Sequence, residues 1–295
     1  MEESRNFSVT NGESGSDNRV IIRRNCFYPD SGENPHRSNQ FTPNPQSERL
    51  LTLGDGVAID LIPIHSKLYS IGSSQTDLDR WPDEIPAKTE SSEHQFSLGR
   101  TPVTVAQFMA FTKSTGYITM AERAKQSLTR IGSSWRMVND TSWLYPYGRV
   151  MGSAKNKLHH PVTHITLKDV FVFCDWASKV SKRSVRPPSE YEWERAAGED
   201  NDTDFLDANV NYQLGDTRPV GFSTDRCSDM RGNVFEWTFS QYSDANSNPP
   251  PNEPSIVIKG GAFCFDKGFS RRAFRGKVSS QFSSAWLGFR ILVEV

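Results

Sequence analysis

Four cysteines, six histidines and a few clustered carboxylates are the groups through which this chain could do chemistry. Cys26, Cys174, Cys227 and Cys264 are widely scattered, with no CxxC pair and no metal-ligand spacing, so they read as reduced thiols. His160 and His164 flank Pro161. A mononuclear iron site would need two such histidines plus a carboxylate on rigid elements, and read plainly the pair makes structural hydrogen bonds. Asp229 and the paired Glu192 and Glu194 have the chemistry of acids and bases. Glu192, however, stands three residues after Ser189, where it completes a helix capping box. No GxSxG, HExxH or phosphate-binding loop occurs.

The segment from Ala262 to Trp286 is unusual in composition. It holds five phenylalanines and five serines in 25 residues, and neither FCFDKGFS nor SSQFSSA keeps a period of 2 or 3.6. Aromatic rings interleaved with small polar residues suit a binding surface, because they combine rigid apolar contact with adaptable hydrogen bonding. The alternative is that these loop phenylalanines pack inward. Displayed on a loop without a ligand, they would be a solubility liability.

These residues need elements to position them, and the local signals are clear for three helices. Thr104 caps the first, with Val105, Phe108, Met109 and Phe111 at helical spacing and Gly116 as its terminator. Thr166 caps the second, with Asp169 three residues on and a stripe through Val170, Phe171, Cys174 and Ala177. Ser189 caps the third, which Gly198 ends. Phe171, Cys174, Trp176, Trp193, Trp237 and Trp286 are expected to be core. Asp55-Gly56 signals a turn, and Val57–Ile64, Lys67–Ile71, His94–Leu98, Ile256–Lys259 and Phe289–Val295 read as strands. Residues 1–48 are rich in Ser, Asn, Glu, Arg and Pro, with one apolar patch at Val20–Ile22, and are expected to be a disordered polar tail. Residues 49–295 would form one α+β domain with few helices, short strands and long ordered loops.

Composition narrows the function classes. A net charge of −1 gives no basic excess for nucleic acid or a membrane surface. No apolar run approaches the ~20 residues of a membrane span, and MEESRNFSVT lacks the features of a secretion signal. A cytoplasmic protein is therefore expected.

The segments HPVTHITLKDVFVFCDWAS, RPPSEYEWERAAG, DMRGNVFEWT, KGGAF and LGFR occur in that order. Together with IPIHSKLYSIGS and RTPVTVAQFMAFTKSTGY upstream, they resemble the formylglycine-generating enzyme, or sulfatase-modifying factor, superfamily over Leu50 to Val295. The resemblance implies a C-type-lectin-like fold. It also implies an oxidase with two cysteines, shortly after the Gly-Gly pair, that bind copper. Counting back from LGFR, Ala273-Phe274-Arg275 falls in register with the family, and the two catalytic positions fall near Ala262 and Lys267. Cys264 is the only thiol in that region. One thiolate cannot form a linear copper(I) site, so no catalytic residue is assigned. The iron ligands of ergothioneine-type relatives belong to a separate domain that this chain does not contain. The alternative to a binding protein is thus a copper- or iron-dependent sulfatase-modifying oxidase. In family members the Asn and Glu of GNxWEW help to hold a structural calcium, and Asn233 and Glu236 match them; they could instead satisfy loop backbone groups.

In a subset of the superfamily the corresponding stretch is the variable region of a diversity-generating retroelement, which rewrites adenines of AAC codons. Phe263, Cys264, Phe265, Asp266, Gly268, Ser270, Phe274, Gly276, Val278, Ser279, Ser280, Phe282, Ser283, Ser284 and Ala285 suit that rule. Lys267, Lys277, Gln281 and Trp286 do not, and are expected to be fixed scaffold. The expectation is therefore a non-catalytic protein that displays a variable Phe/Ser surface to a macromolecular ligand, a protein, with no cofactor required.

Overall fold

In the computed structural model, residues 50–54, 56–65, 68–198, 207–223, 226–243 and 255–295 are described. The tail expected over residues 1–48, Asp55 and Lys67 lie outside them. β1 (Leu50–Thr52), β2 (Ala58–Ile64), β3 (Leu68–Ile71), β4 (Lys88–Ser91) and β5 (Phe96–Gly99) come first. α1 (Val105–Thr115), α2 (Met120–Ala124), β6 (Gln126–Ile131), β7 (Ser134–Asn139) and α3 (Leu167–Ser181) follow. β8 (Val185–Arg186), α4 (Glu190–Ala197), β9 (Phe235–Gln241), β10 (Ser255–Lys259), β11 (Gly276–Ser279), β12 (Leu287–Gly288) and β13 (Leu292–Glu294) complete the order.

Three of the helices start where their caps require. The side chains of Thr104, Thr166 and Ser189 accept from the backbone N–H of Gln107, Asp169 and Glu192, and each partner side chain accepts in return from the cap backbone N–H. Each box satisfies two of the N–H groups that a helix start leaves without intrahelical partners. A fourth box, Thr119 with Glu122, starts the short α2, which the sequence reading missed along with the β6–β7 hairpin.

The strands form two main sheets. One has the order β1-β2-β5-β13-β8, the other β11-β10-β9-β12, and β3–β4 and β6–β7 form separate hairpins. The last strand, β13, pairs with β5 in the first sheet (Leu292 opposite Leu98), which ties the C-terminal strand to residues about 195 positions earlier in the chain. The core lies between α1, α3 and these sheets, where Phe108, Phe111, Phe173 and Phe289 contact one another edge-to-face and stacked. Cys174, Trp176, Trp193, Trp237 and Trp286 are buried as expected. Phe171 is not: it is 45% exposed, because it sits about 100° around α3 from Val170, beside the stripe that faces the core. The result is an α+β domain with few helices, short strands and long loops, as the sequence leads one to expect. Among the described residues no helix is long and apolar enough to cross a membrane.

Candidate functional site

The segment after β10 begins on Gly260 and Gly261, both at positive φ (96° and 69°). A β-carbon on Gly261 would stand 2.1 Å from Ser270 Oγ, so only glycine lets the returning loop close this tightly. That closure turns the phenylalanines inward. Phe265 meets Phe235, Phe269 and Trp286 at centroid distances of 5.2, 5.4 and 5.2 Å. Phe274 meets Trp81 and Phe269, Phe282 meets Trp286, and Phe263 meets Tyr212. β11 then pairs with β10, which sends Val278 inside and leaves Lys277 and Ser279 half-exposed.

The expectation of a displayed phenylalanine surface is therefore corrected. Phe263, Cys264, Phe265, Ser270, Phe274, Gly276, Val278, Phe282, Ser284 and Ala285 are all buried. Of the fifteen positions, Asp266, Gly268, Ser279, Ser280 and Ser283 reach solvent. Single-sequence periodicity is blind here because a strand of four residues is too short to show alternation. Lys267 and Gln281 are exposed and Trp286 is fully buried.

Charged side chains hold the loop from below. Arg275 grips Glu190 through Nε to Oε1 (2.6 Å) and Nη2 to Oε2 (3.0 Å). Arg272 and Lys259 both donate to Glu194, and Arg271 donates to Glu84. Glu192, bound by Arg186 and by its own cap, is equally engaged. Asp229 accepts from Arg218 and from the Gly221 N–H. None of these carboxylates is a free acid or base. A hollow of about 400 Å³ beside Arg271 and Arg272 is polar, and its guanidinium groups already serve carboxylates and backbone carbonyls.

The metal sites implied by the resemblance can be tested on their donors. Cys264 is 5% exposed and belongs to the apolar core, and no second cysteine lies between Ala262 and Trp286. This donor set does not fit a two-thiolate copper site. The oxygens offered to calcium are also taken. Asn233 Oδ1 accepts from the Arg218 N–H (2.9 Å) and Asn209 Nδ2 (3.3 Å). Glu236 accepts from Trp193 Nε1 and from two guanidinium nitrogens of Arg290. The protonated donors stand where a cation would have to be, so these two residues do not fit the ion. Asn233 instead ties its turn to Asn209 and Arg218, and Glu236 serves Trp193 of α4 and Arg290.

His160 and His164 are drawn apart by their partners. His160 Nδ1 lies 2.9 Å from Thr217 Oγ1, and burial lowers its imidazole to about 4. His164 Nδ1 lies 2.9 Å from Ser127 Oγ, and complete burial lowers it to about 3. Ser127 Oγ in turn lies 2.7 Å from Ser283 Oγ, and the His164 N–H donates to the Ser284 carbonyl. This hydroxyl–imidazole chain carries an imidazole too weakly basic to activate a serine near neutral pH. Its evident role is to anchor the Ser283–Ser284 turn.

That anchored turn forms one side of a cleft of about 790 Å³. Met120 of α2, Met137 of β7 and Leu167 and Phe171 of α3 form its apolar walls, and Ser280 and Ser283 its polar edge. The volume is of the size that holds small ligands or a few side chains, and the two methionines give it adaptable walls. Sequence reasoning missed Met120 and Met137, which lie on short elements without a periodic pattern. Phe171, which the sequence reading put in the inward stripe of α3, is instead a wall of the cleft.

Comparison with known proteins follows the same outline. A family model described as sulfatase-modifying factor enzyme 1-like domain matches residues 66–295. The formylglycine-generating enzyme of Mycobacterium tuberculosis is 25% identical, with 80% of this chain and 98% of that protein covered. A Bos taurus protein named inactive C-alpha-formylglycine-generating enzyme 2 is 26% identical, covering 68% of this chain and 77% of its own. Among solved structures, PvdO from Pseudomonas aeruginosa superposes with a TM-score of 0.66 at 22% identity, covering 85% of this chain and all of its own. Treponema denticola variable protein 1 superposes with a TM-score of 0.60 at 17% identity, covering 84% and 99%.

Proposed function

Since the chain belongs to the sulfatase-modifying factor enzyme 1-like family, we propose that it is a non-catalytic member that binds a protein ligand through the cleft between α2, α3 and the Ser280–Ser283 turn. The observation that carries this reading is the state of Cys264, a lone thiol packed among apolar side chains where a copper oxidase needs two accessible thiolates. Family members named inactive support the idea that the scaffold persists without the oxidase reaction. The cleft supplies what the inward phenylalanines do not, an apolar concavity open to solvent with a hydrogen-bonding edge.

Retroelement diversification narrows accordingly to Asp266, Gly268, Ser279, Ser280 and Ser283, the positions of the fifteen that reach solvent. Three cysteines of the described residues, Cys174, Cys227 and Cys264, are free thiols, which supports a reducing, cytoplasmic setting.

The test is direct. Purified protein incubated with copper and a cysteine-containing sulfatase peptide should yield no aldehyde by mass. Turnover abolished by Cys264→Ser would overturn the proposal and restore the oxidase reading. A near-copy of the coding segment beside a reverse transcriptase, differing at adenines of the five solvent-reaching codons, is expected for diversification; its absence would remove that part.

A further inference from the structure

The cleft has an electrostatic sign. Lys168 is the one charged residue of its lining, which includes no acidic side chain. Lys125 and Arg123, both exposed, stand on either side of the lining residue Ala124. An occupant should therefore offer apolar side chains flanked by negative charge.

The chain holds such a segment. Asn6-Phe7-Ser8-Val9-Thr10 alternates apolar and polar residues, so an extended conformation sets Phe7 and Val9 on one side. Glu2, Glu3, Glu13 and Asp17 flank it, against the single cation Arg5. The other apolar patch of the N-terminal region, Val20–Ile22, is bounded by Arg19, Arg23 and Arg24 and would be repelled by the same lysines. The geometry of attachment agrees. The described chain starts at Leu50 in β1, and β1 packs against α3, the helix whose outer face is a wall of the cleft. The stretch between Val9 and Leu50, at up to about 3.3–3.6 Å per residue, exceeds any path over a domain with a radius of gyration of about 18 Å.

We propose that residues 2–13 of this chain dock in the cleft, with Phe7 and Val9 against Met120, Met137 and Phe171 and their acidic flanks beside Lys125 and Lys168. This inference rests on the reading of the cleft as a binding site, and makes the N-terminal segment a built-in competitor of the ligand. Attachment in cis raises the local concentration of the segment, so weak contacts suffice for substantial occupancy.

Methyl NMR of the full-length protein labelled at methionine tests it. Met120→Leu and Met137→Leu assign the two methyl signals. The expected results are nuclear Overhauser contacts from the Phe7 ring to those methyls, and a shift of both signals in the Phe7→Asp/Val9→Asp variant. Both effects should weaken at high salt, and Ile21→Asp should leave the signals in place. Signals that are identical in wild type and double variant, without contacts to Phe7, overturn the proposal. So does a shift caused by Ile21→Asp alone, or one that grows with protein concentration and so reports a second copy. Met120 and Met137 are exchanged only for leucine, a change that conserves volume, and unchanged positions of the remaining methionine signals show that the fold is kept in every variant. An aldehyde product in the copper assay would sink the non-catalytic reading without touching docking, and absent methyl contacts would do the reverse.

Discussion

Arg290 clasps Glu236 with two hydrogen bonds, Nε to Oε2 at 2.6 Å and Nη2 to Oε1 at 2.7 Å, and neither side chain has any exposure to solvent. Arg290 also donates to the carbonyls of Gly99, Arg100 and Ser228, so one guanidinium joins β9, the end of β5 and the loop before β9. Burying two charges is costly, and the pair persists because every donor and acceptor is served. Removing one partner leaves the other charge alone in the core. Arg290→Met should therefore lower stability by about 3–5 kcal/mol, read from urea unfolding. Because Glu236 is already neutralised, calcium and chelator should leave the wild-type melting temperature unchanged, whereas a bound ion would raise it.

The inward phenylalanines predict a sharp contrast within one short segment. Phe265→Ala and Phe274→Ala should each cost about 3–5 kcal/mol, because each leaves a cavity among packed rings. Ser280→Ala, on the edge of the cleft, should stay within about 0.5 kcal/mol. Equal, small effects at all three positions would restore a displayed surface.

Titration of the buried histidine gives a pH dependence with a definite sign. Burial lowers His164 from 6.5 to about 3, so between those values the unfolded chain binds a proton that the folded chain does not. Its contribution is complete above pH 6.5 and is lost as pH falls toward 3, at up to about 1.4 kcal/mol per pH unit. His164→Asn, which tolerates the φ of 59° at this position, should flatten the acid side of the stability profile measured by urea midpoints.

Thiol chemistry offers an independent check. Cys174, Cys227 and Cys264 are 2%, 3% and 5% exposed, and burial pushes the thiols of Cys174 and Cys227 up. With thiolate scarce and access closed, all three should react with Ellman's reagent far more slowly in the native protein than in denaturant. A fast native reaction lost in Cys264→Ser would place that sulfur at the surface.

The sequence by itself determined the parts whose causes are local. The capping boxes at Thr104, Thr166 and Ser189 need only residues three positions apart, and the helices begin where those residues stand. The family outline, the missing second cysteine and the buried tryptophans were also legible, because residue type and order suffice for them. Only the tertiary structure decided which way the Phe/Ser segment faces. That depends on Gly261 against Ser270 and on the rings of Trp81, Phe235 and Trp286, most of them far away in sequence. The same holds for Glu236, whose partner stands 54 residues on, and for Ser283, held by Ser127 across 156 residues. A cleft assembled from α2, β7, α3 and a C-terminal turn has no signature in any one of them. Its existence is a property of their packing, and packing is a non-local balance that composition and spacing do not encode.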